Sequence, residues 1–87
     1  MEHLFWDLGI VAGGARFAVD LSGSTARVCL MDADNYRSYL DGGGYDFHGG
    51  FFDVTPVVLD VPYDHHWYLI VDSNPEQVVV EVTQIFD

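Results

Sequence analysis

Apolar and polar residues alternate with a period of two along almost the whole chain. Leu4, Trp6 and Leu8 alternate with His3, Phe5 and Asp7, and Phe17, Val19 and Leu21 alternate with Arg16, Ala18 and Asp20. Ala26, Val28 and Leu30 resume the pattern after the turn-forming run "SGST". Val57, Leu59 and Val61 follow between Pro56 and Pro62; Trp67, Leu69 and Val71 then face one way, Tyr68, Ile70 and Asp72 the other. After "DSNPE", Val78, Val80 and Val82 close the series. Side chains two apart share one face of a strand, so each run predicts a half-buried strand.

One segment leaves this rhythm. "MDADNYRSYLDGG" offers Asp32 or Asp34 as an N-cap, then Tyr36, Tyr39 and Leu40 at i, i+3 and i+4, then Gly42 as a stop. It predicts one short helix near residues 33–41, laid across one end of the sheets. The rest supplies seven or eight short strands with no βαβ spacing. The expected architecture is therefore all-β, a single domain over residues 1–87. It is an antiparallel β-sandwich or flattened barrel, with Trp6 and Trp67 in its dry centre.

Size and composition agree with such a core. Apolar residues make up 49% of the 87 residues, enough for a small domain that must bury most of what it has. Cys29 is the only cysteine, so no disulfide within the chain can assist. "MEHLFWDLG" lacks a basic n-region and a long apolar h-region, and runs such as "WYLIV" fall far short of a membrane span. These features predict a cytoplasmic protein.

Charge narrows the partners. The net charge is −11; Arg16, Arg27 and Arg37 are the only basic residues besides histidine, and nine acids follow from Asp41 onward without a compensating cation. Nucleic acid and anionic membrane both require a basic stripe, so neither is an expected partner. On charge, a basic protein partner, a cation or no such partner at all remains. The expected partners are a protein or a small ligand, with a homodimer as a further alternative.

The stretch "LDGGGYDFHGGFFDVTP" looks most like a functional loop. It has no GKS or GxGxxG, and Asp41, Asp46 and Asp53 would repel a phosphate. The expectation is architecture: a helix stop, then a short strand through Tyr45 and Phe47, then a tight reversal at Gly49 and Gly50. Adjacent His65 and His66 point to opposite faces of a strand, and no HxH, HxxxH or CxxC spacing is present, so no metal or other cofactor is expected. "DADNYR" starts like a calcium loop but has Arg37 where glycine belongs. Cys29 reads as a packed small hydrophobe, and no serine lies in a G-x-S-x-G elbow. No catalytic residue is assigned.

"HLFWDLG", "LSG", "VCLMDADNYRSY", "HGG", "TPVVLDVP" and "HWYLIVD" occur in that order. Together they resemble a small bacterial domain family of unknown function, whose members stand alone or are fused to Toll/interleukin-receptor (TIR) domains. The resemblance implies a compact β-sandwich and supplies no activity. The acidic loop after Leu40, and His66 where glycine is common before the tryptophan, depart from that family's usual character.

The reading that follows is a non-enzymatic module binding a protein or small ligand. Its candidate contact residues are Tyr36, Tyr45, Phe47, His48, Phe52, His66 and Tyr68. Either Phe51 or Phe52 must point outward. The alternatives are a homodimeric structural module and an acidic inhibitor of a basic partner. A metal-dependent hydrolase built on His48, His65 or His66 with Asp64 is the least favoured.

Overall fold

Residues 3–23, 25–52, 56–73 and 76–86 are described by a computed structural model. The elements run β1 (Leu4–Val11), β2 (Arg16–Ser22), β3 (Ala26–Asp32), α1 (Ala33–Leu40), β4 (His48–Phe52), β5 (Val57–Asp60), β6 (His65–Val71) and β7 (Val79–Ile85). They form two antiparallel sheets, one of four strands in the order β1-β6-β3-β4 and one of three in the order β5-β2-β7. The architecture is an open sandwich, not a closed barrel. No helix among the described residues is long and apolar enough to cross a membrane.

The alternation places the core. Val19, Val28, Leu30, Val61, Trp67, Leu69 and Val71 meet between the sheets and are buried. Each such side chain contributes about 1.5–3 kcal/mol of gross transfer energy. Trp67 is fully enclosed, whereas Trp6 is only half-buried and packs at the border of the cluster, because β1 is an edge strand. Along β1 the inward set changes parity, from Leu4, Trp6 and Leu8 to Val11. A β-bulge between Asp7 and Gly9 shifts the register there, so strict alternation holds for only part of the strand.

The helix position differs from expectation. It lies against β3 and β6 on the outer face of the four-stranded sheet, not across the end of the sandwich. Cys29, Met31 and Ile70 point outward from those strands, and all three are fully buried beneath Tyr36 and Tyr39. An apolar outer face requires a cover, and the amphipathic helix supplies it. Asp32 caps α1, its Oδ1 accepting the Asn35 N–H at 2.8 Å. Gly42, at φ +79°, ends it: the Gly42 N–H donates to the Tyr39 carbonyl and the Gly43 N–H to the Ser38 carbonyl at 2.8 Å.

The expected reversal at "HGG" is absent. Gly49 and Gly50 lie inside β4, opposite Cys29 and Val28, and residues 43–47 form an irregular connection to it. A Cβ at Gly49 would stand 1.9 Å from the Val28 carbonyl oxygen, and its φ is +145°. Glycine here serves close approach of two strands, and not a turn. Part of "FFDVT", residues 53–55, lies outside the described residues.

Candidate functional site

The β3–α1 junction, the connection from α1 to β4, and the β5–β6 loop converge beside the start of β6. They enclose a cleft of about 370 Å³ lined by Asp32, Asn35, Asp46, Phe47, His48, Tyr63 and Trp67. Its volume is at the small end for ligand sites. Trp67 forms part of the wall while remaining buried in the core, and its indole N–H donates to the Tyr63 carbonyl at 2.9 Å. The Tyr63 and Trp67 rings are 5.0 Å apart, and His48 meets Trp67 edge-on at 5.9 Å.

Hydrogen bonds fix each wall to another. The Asp32 carboxylate accepts from Asn35 through Oδ1 and from the Tyr63 hydroxyl through Oδ2. Asn35 Oδ1 in turn accepts the Asp46 N–H at 2.8 Å, tying the irregular segment to the helix start. On the other side of Tyr63, the loop between β1 and β2 holds the β5–β6 connection. The Gly13 N–H donates to Asp64 at 2.7 Å, and the Gly14 N–H donates to the Val61 carbonyl at 2.8 Å.

Electrostatics follow from these contacts. Burial opposes ionisation of Asp32, but the bonds from Tyr63 and Asn35 outweigh it and hold the carboxyl below its ordinary range. Tyr63 is pushed up to about 12, first by its bond to Asp32, then by burial and the negative charges of Asp32, Asp34 and Asp46. The cleft wall is thus negative and aromatic.

Behind Phe47 lies a second polar cluster. Arg27 donates to both Asp72 oxygens, at 2.8 Å from Nε and more closely from Nη2. Nη2 also donates to the Tyr45 hydroxyl at 2.9 Å, and Tyr39 donates to Asp72 at 2.9 Å. The guanidinium lies 5.0 Å from the Phe47 ring centroid and 5.9 Å from that of Tyr45, so one half-buried cation anchors the residues preceding β4. Burial disfavours a charged Asp72, but the bonds from Arg27 and Tyr39 prevail and lower its pKa.

The contact residues named from sequence do not form one patch. Phe47 and His48 line the cleft, and Tyr45 sits behind it, half-buried against Arg27. Tyr36 is on the buried face of α1, its ring 4.5 Å from that of Tyr68, and bonds to His3 at 2.9 Å. His66 stacks on Tyr68 at 4.9 Å and bonds to Asp7 at 2.6 Å, on the outer face. That bond, with one from the Gly9 N–H, holds Asp7 below the ordinary carboxylate range. Phe52 turns inward onto the core, and Phe51, 67% exposed, takes the outward position.

The histidines also diverge. His65 lies 3.6 Å from Asp34, while His66 bonds to Asp7 on the opposite face. Among the described residues no three His, Cys, Asp or Glu side chains are grouped to hold a metal. The "DADNYR" segment is the cap and first turn of α1. Cys29 is buried, and burial pushes its thiol up to about 11.

Sequence reasoning missed Asp32, Asn35, Asp46, Tyr63 and Trp67 as one lining. Asp32 carried a signal as an N-cap; nothing along the chain joined it to Tyr63, 31 residues away. No curated protein and no solved structure matches this chain. A domain family of unknown function, DUF1883, matches residues 1–85. The match spans every strand, the helix and all seven residues of the cleft wall, and on that ground the chain belongs to the DUF1883 family.

Proposed function

We propose that this domain is a non-enzymatic binding module whose recognition site is the cleft at the start of α1. The observation that carries this reading is a recess walled by separate chain segments and hydrogen-bonded across them, from Asp32 to Tyr63 and from Asn35 to Asp46. Such bonding preorganises the walls and lowers the entropic cost of binding. The chemistry favours binding over turnover. The buried Cys29 thiol is held protonated, and the Asp32 carboxylate is stabilised as an anion already satisfied by its neighbours. The resemblance to bacterial domains fused to TIR domains supports a sensing or regulatory role in the cytoplasm, by analogy.

Binding is tested with ¹⁵N-labelled protein and a fragment set containing cations, anions and neutral aromatics, read by amide and indole chemical shifts. The reading expects saturable shifts centred on the Trp67 indole N–H, Asn35 and His48, lost in Phe47→Ala and kept in Tyr68→Ala. Saturable binding mapped to the His66–Tyr68 face overturns it, as does an absence of saturable shifts anywhere.

A further inference from the structure

Resting on that reading of the cleft, we infer that its ligand is an organic cation, an alkylammonium or guanidinium group seated between the aromatic wall and the two aspartates. The exposed rings of Tyr63 and Phe47 line the recess, with the fully buried Trp67 ring 5.0 Å behind that of Tyr63. Asp32 lies buried at its base, its oxygens already bonded to Asn35 and Tyr63, so that it contributes charge and no free acceptor. The exposed Asp46 stands at its wall with no hydrogen bond to its carboxylate among the described residues. No lysine or arginine shares the lining. Aromatic faces attract cations through their quadrupole, and neighbouring carboxylates add attraction and direction. The molecule already uses this chemistry within itself: Phe47 and Tyr45 flank the Arg27 guanidinium, which Asp72 neutralises.

Competing ligand classes fit less well. An anion meets Asp32 and Asp46, and the helix start that would otherwise attract it is occupied by the Asp32 cap. A wholly apolar ligand would desolvate the Asp46 carboxylate without replacing its water. A cation satisfies both the rings and the charges.

Two sources carry this chemistry, a lysine or arginine side chain of a protein and a free small amine. The probes are N-acetyl-lysine methylamide, N-acetyl-arginine methylamide, butylammonium, and the neutral and anionic counterparts N-acetyl-norleucine methylamide and N-acetyl-glutamate methylamide. Titrations of the intact chain follow the Trp67 indole N–H and the amides of Asn35 and His48. Cationic probes are expected to shift these signals saturably and the norleucine and glutamate probes not to, with affinity falling as salt rises. Asp46→Asn should weaken cation binding about fivefold, while Glu81→Gln, the same charge change on the far sheet, leaves it unchanged.

Butylammonium binding as tightly as the lysine probe assigns a free amine, whereas tighter binding of either amino-acid probe assigns a protein side chain; each supports the inference. Equal binding of norleucine, preference for glutamate, or an Asp46→Asn variant that binds as wild type overturns it while leaving the cleft as a recognition site. If no probe or fragment shifts the cleft signals, the binding reading itself falls.

Discussion

On the inner face of the four-stranded sheet Val28, Leu30, Leu69 and Val71 meet aliphatic and aromatic side chains of the other sheet. On its outer face Cys29, Met31 and Ile70, from the same two strands, meet tyrosines, and an Arg27–Asp72 pair lies beside them. β3 and β6 are thus buried on both sides by different chemistry. The inner layer is non-directional and tolerates any well-packed apolar set. The outer layer is directional: Tyr39, Tyr45 and Asp72 each have an assigned partner, and Arg27 also lies against the Phe47 ring of the cleft wall. The inner interface is expected to carry most of the stability, and the outer one to hold Phe47 in place through Arg27.

Substitutions separate the two faces. Leu30→Ala removes a fully buried inner side chain and should cost about 4 kcal/mol, read by urea denaturation. A loss below about 1 kcal/mol would mean that the inner layer is not the principal source of stability.

Asp72→Ala leaves the Arg27 guanidinium without its counterion on the outer face. A fully buried broken pair costs about 3–5 kcal/mol; with the Arg27 side chain 19% exposed, about 2 kcal/mol is expected. Arg27→Met combined with Asp72→Leu should recover most of it, because no unpaired charge remains. A double variant as unstable as the single one would show that the pair itself, and not an orphaned charge, carries the stability.

The same pair predicts a pH dependence. The folded pKa of Asp72 lies below its ordinary value of 3.8. Its contribution is therefore fully present above that value and disappears as pH falls through the folded pKa. Acidification also relieves repulsion in a chain of net charge −11, so the difference between wild type and Asp72→Asn is the informative quantity. That difference in thermal midpoint should be constant above about pH 5 and shrink below about pH 4. A difference that grows on acidification would contradict the assigned sign.

The smallest effect belongs to the cleft wall. Tyr63→Phe deletes the hydroxyl donated to Asp32 and should cost about 1 kcal/mol, since water reaches the exposed tyrosine. The Trp67 indole resonance should move, because its acceptor is the Tyr63 carbonyl.

Much of this fold is legible along the chain. The inward sets Phe17–Val19–Leu21, Ala26–Val28–Leu30 and Trp67–Leu69–Val71 follow from alternation alone, and the helix lies at Ala33–Leu40, between its N-cap Asp32 and Gly42. Pairing is not legible: β1–β6, β3–β6, β2–β5 and β2–β7 are long-range, and even β3 and β4, consecutive strands, pair across the whole of α1 and the connection that follows it. Glycine misled for a related reason. Gly49 and Gly50 carry the same letters as a hairpin turn, and only the approach of the Val28 carbonyl shows why a side chain is excluded at Gly49. Phe51 and Phe52 were ambiguous because alternation fixes which residues share a face but not which face is inside.

What the sequence by itself determined is therefore periodic and local: which side chains share a strand face, where the helix begins and stops, and that the surface is acidic. Tertiary structure alone decided that the helix covers an outer sheet face, that Arg27 finds Asp72, and that Asp32, Asp46, Tyr63 and Trp67 enclose one recess. The reason is physical. Backbone geometry repeats every two or 3.6 residues and leaves its trace in neighbouring letters, whereas a recess forms wherever distant segments minimise buried apolar and unpaired polar surface together.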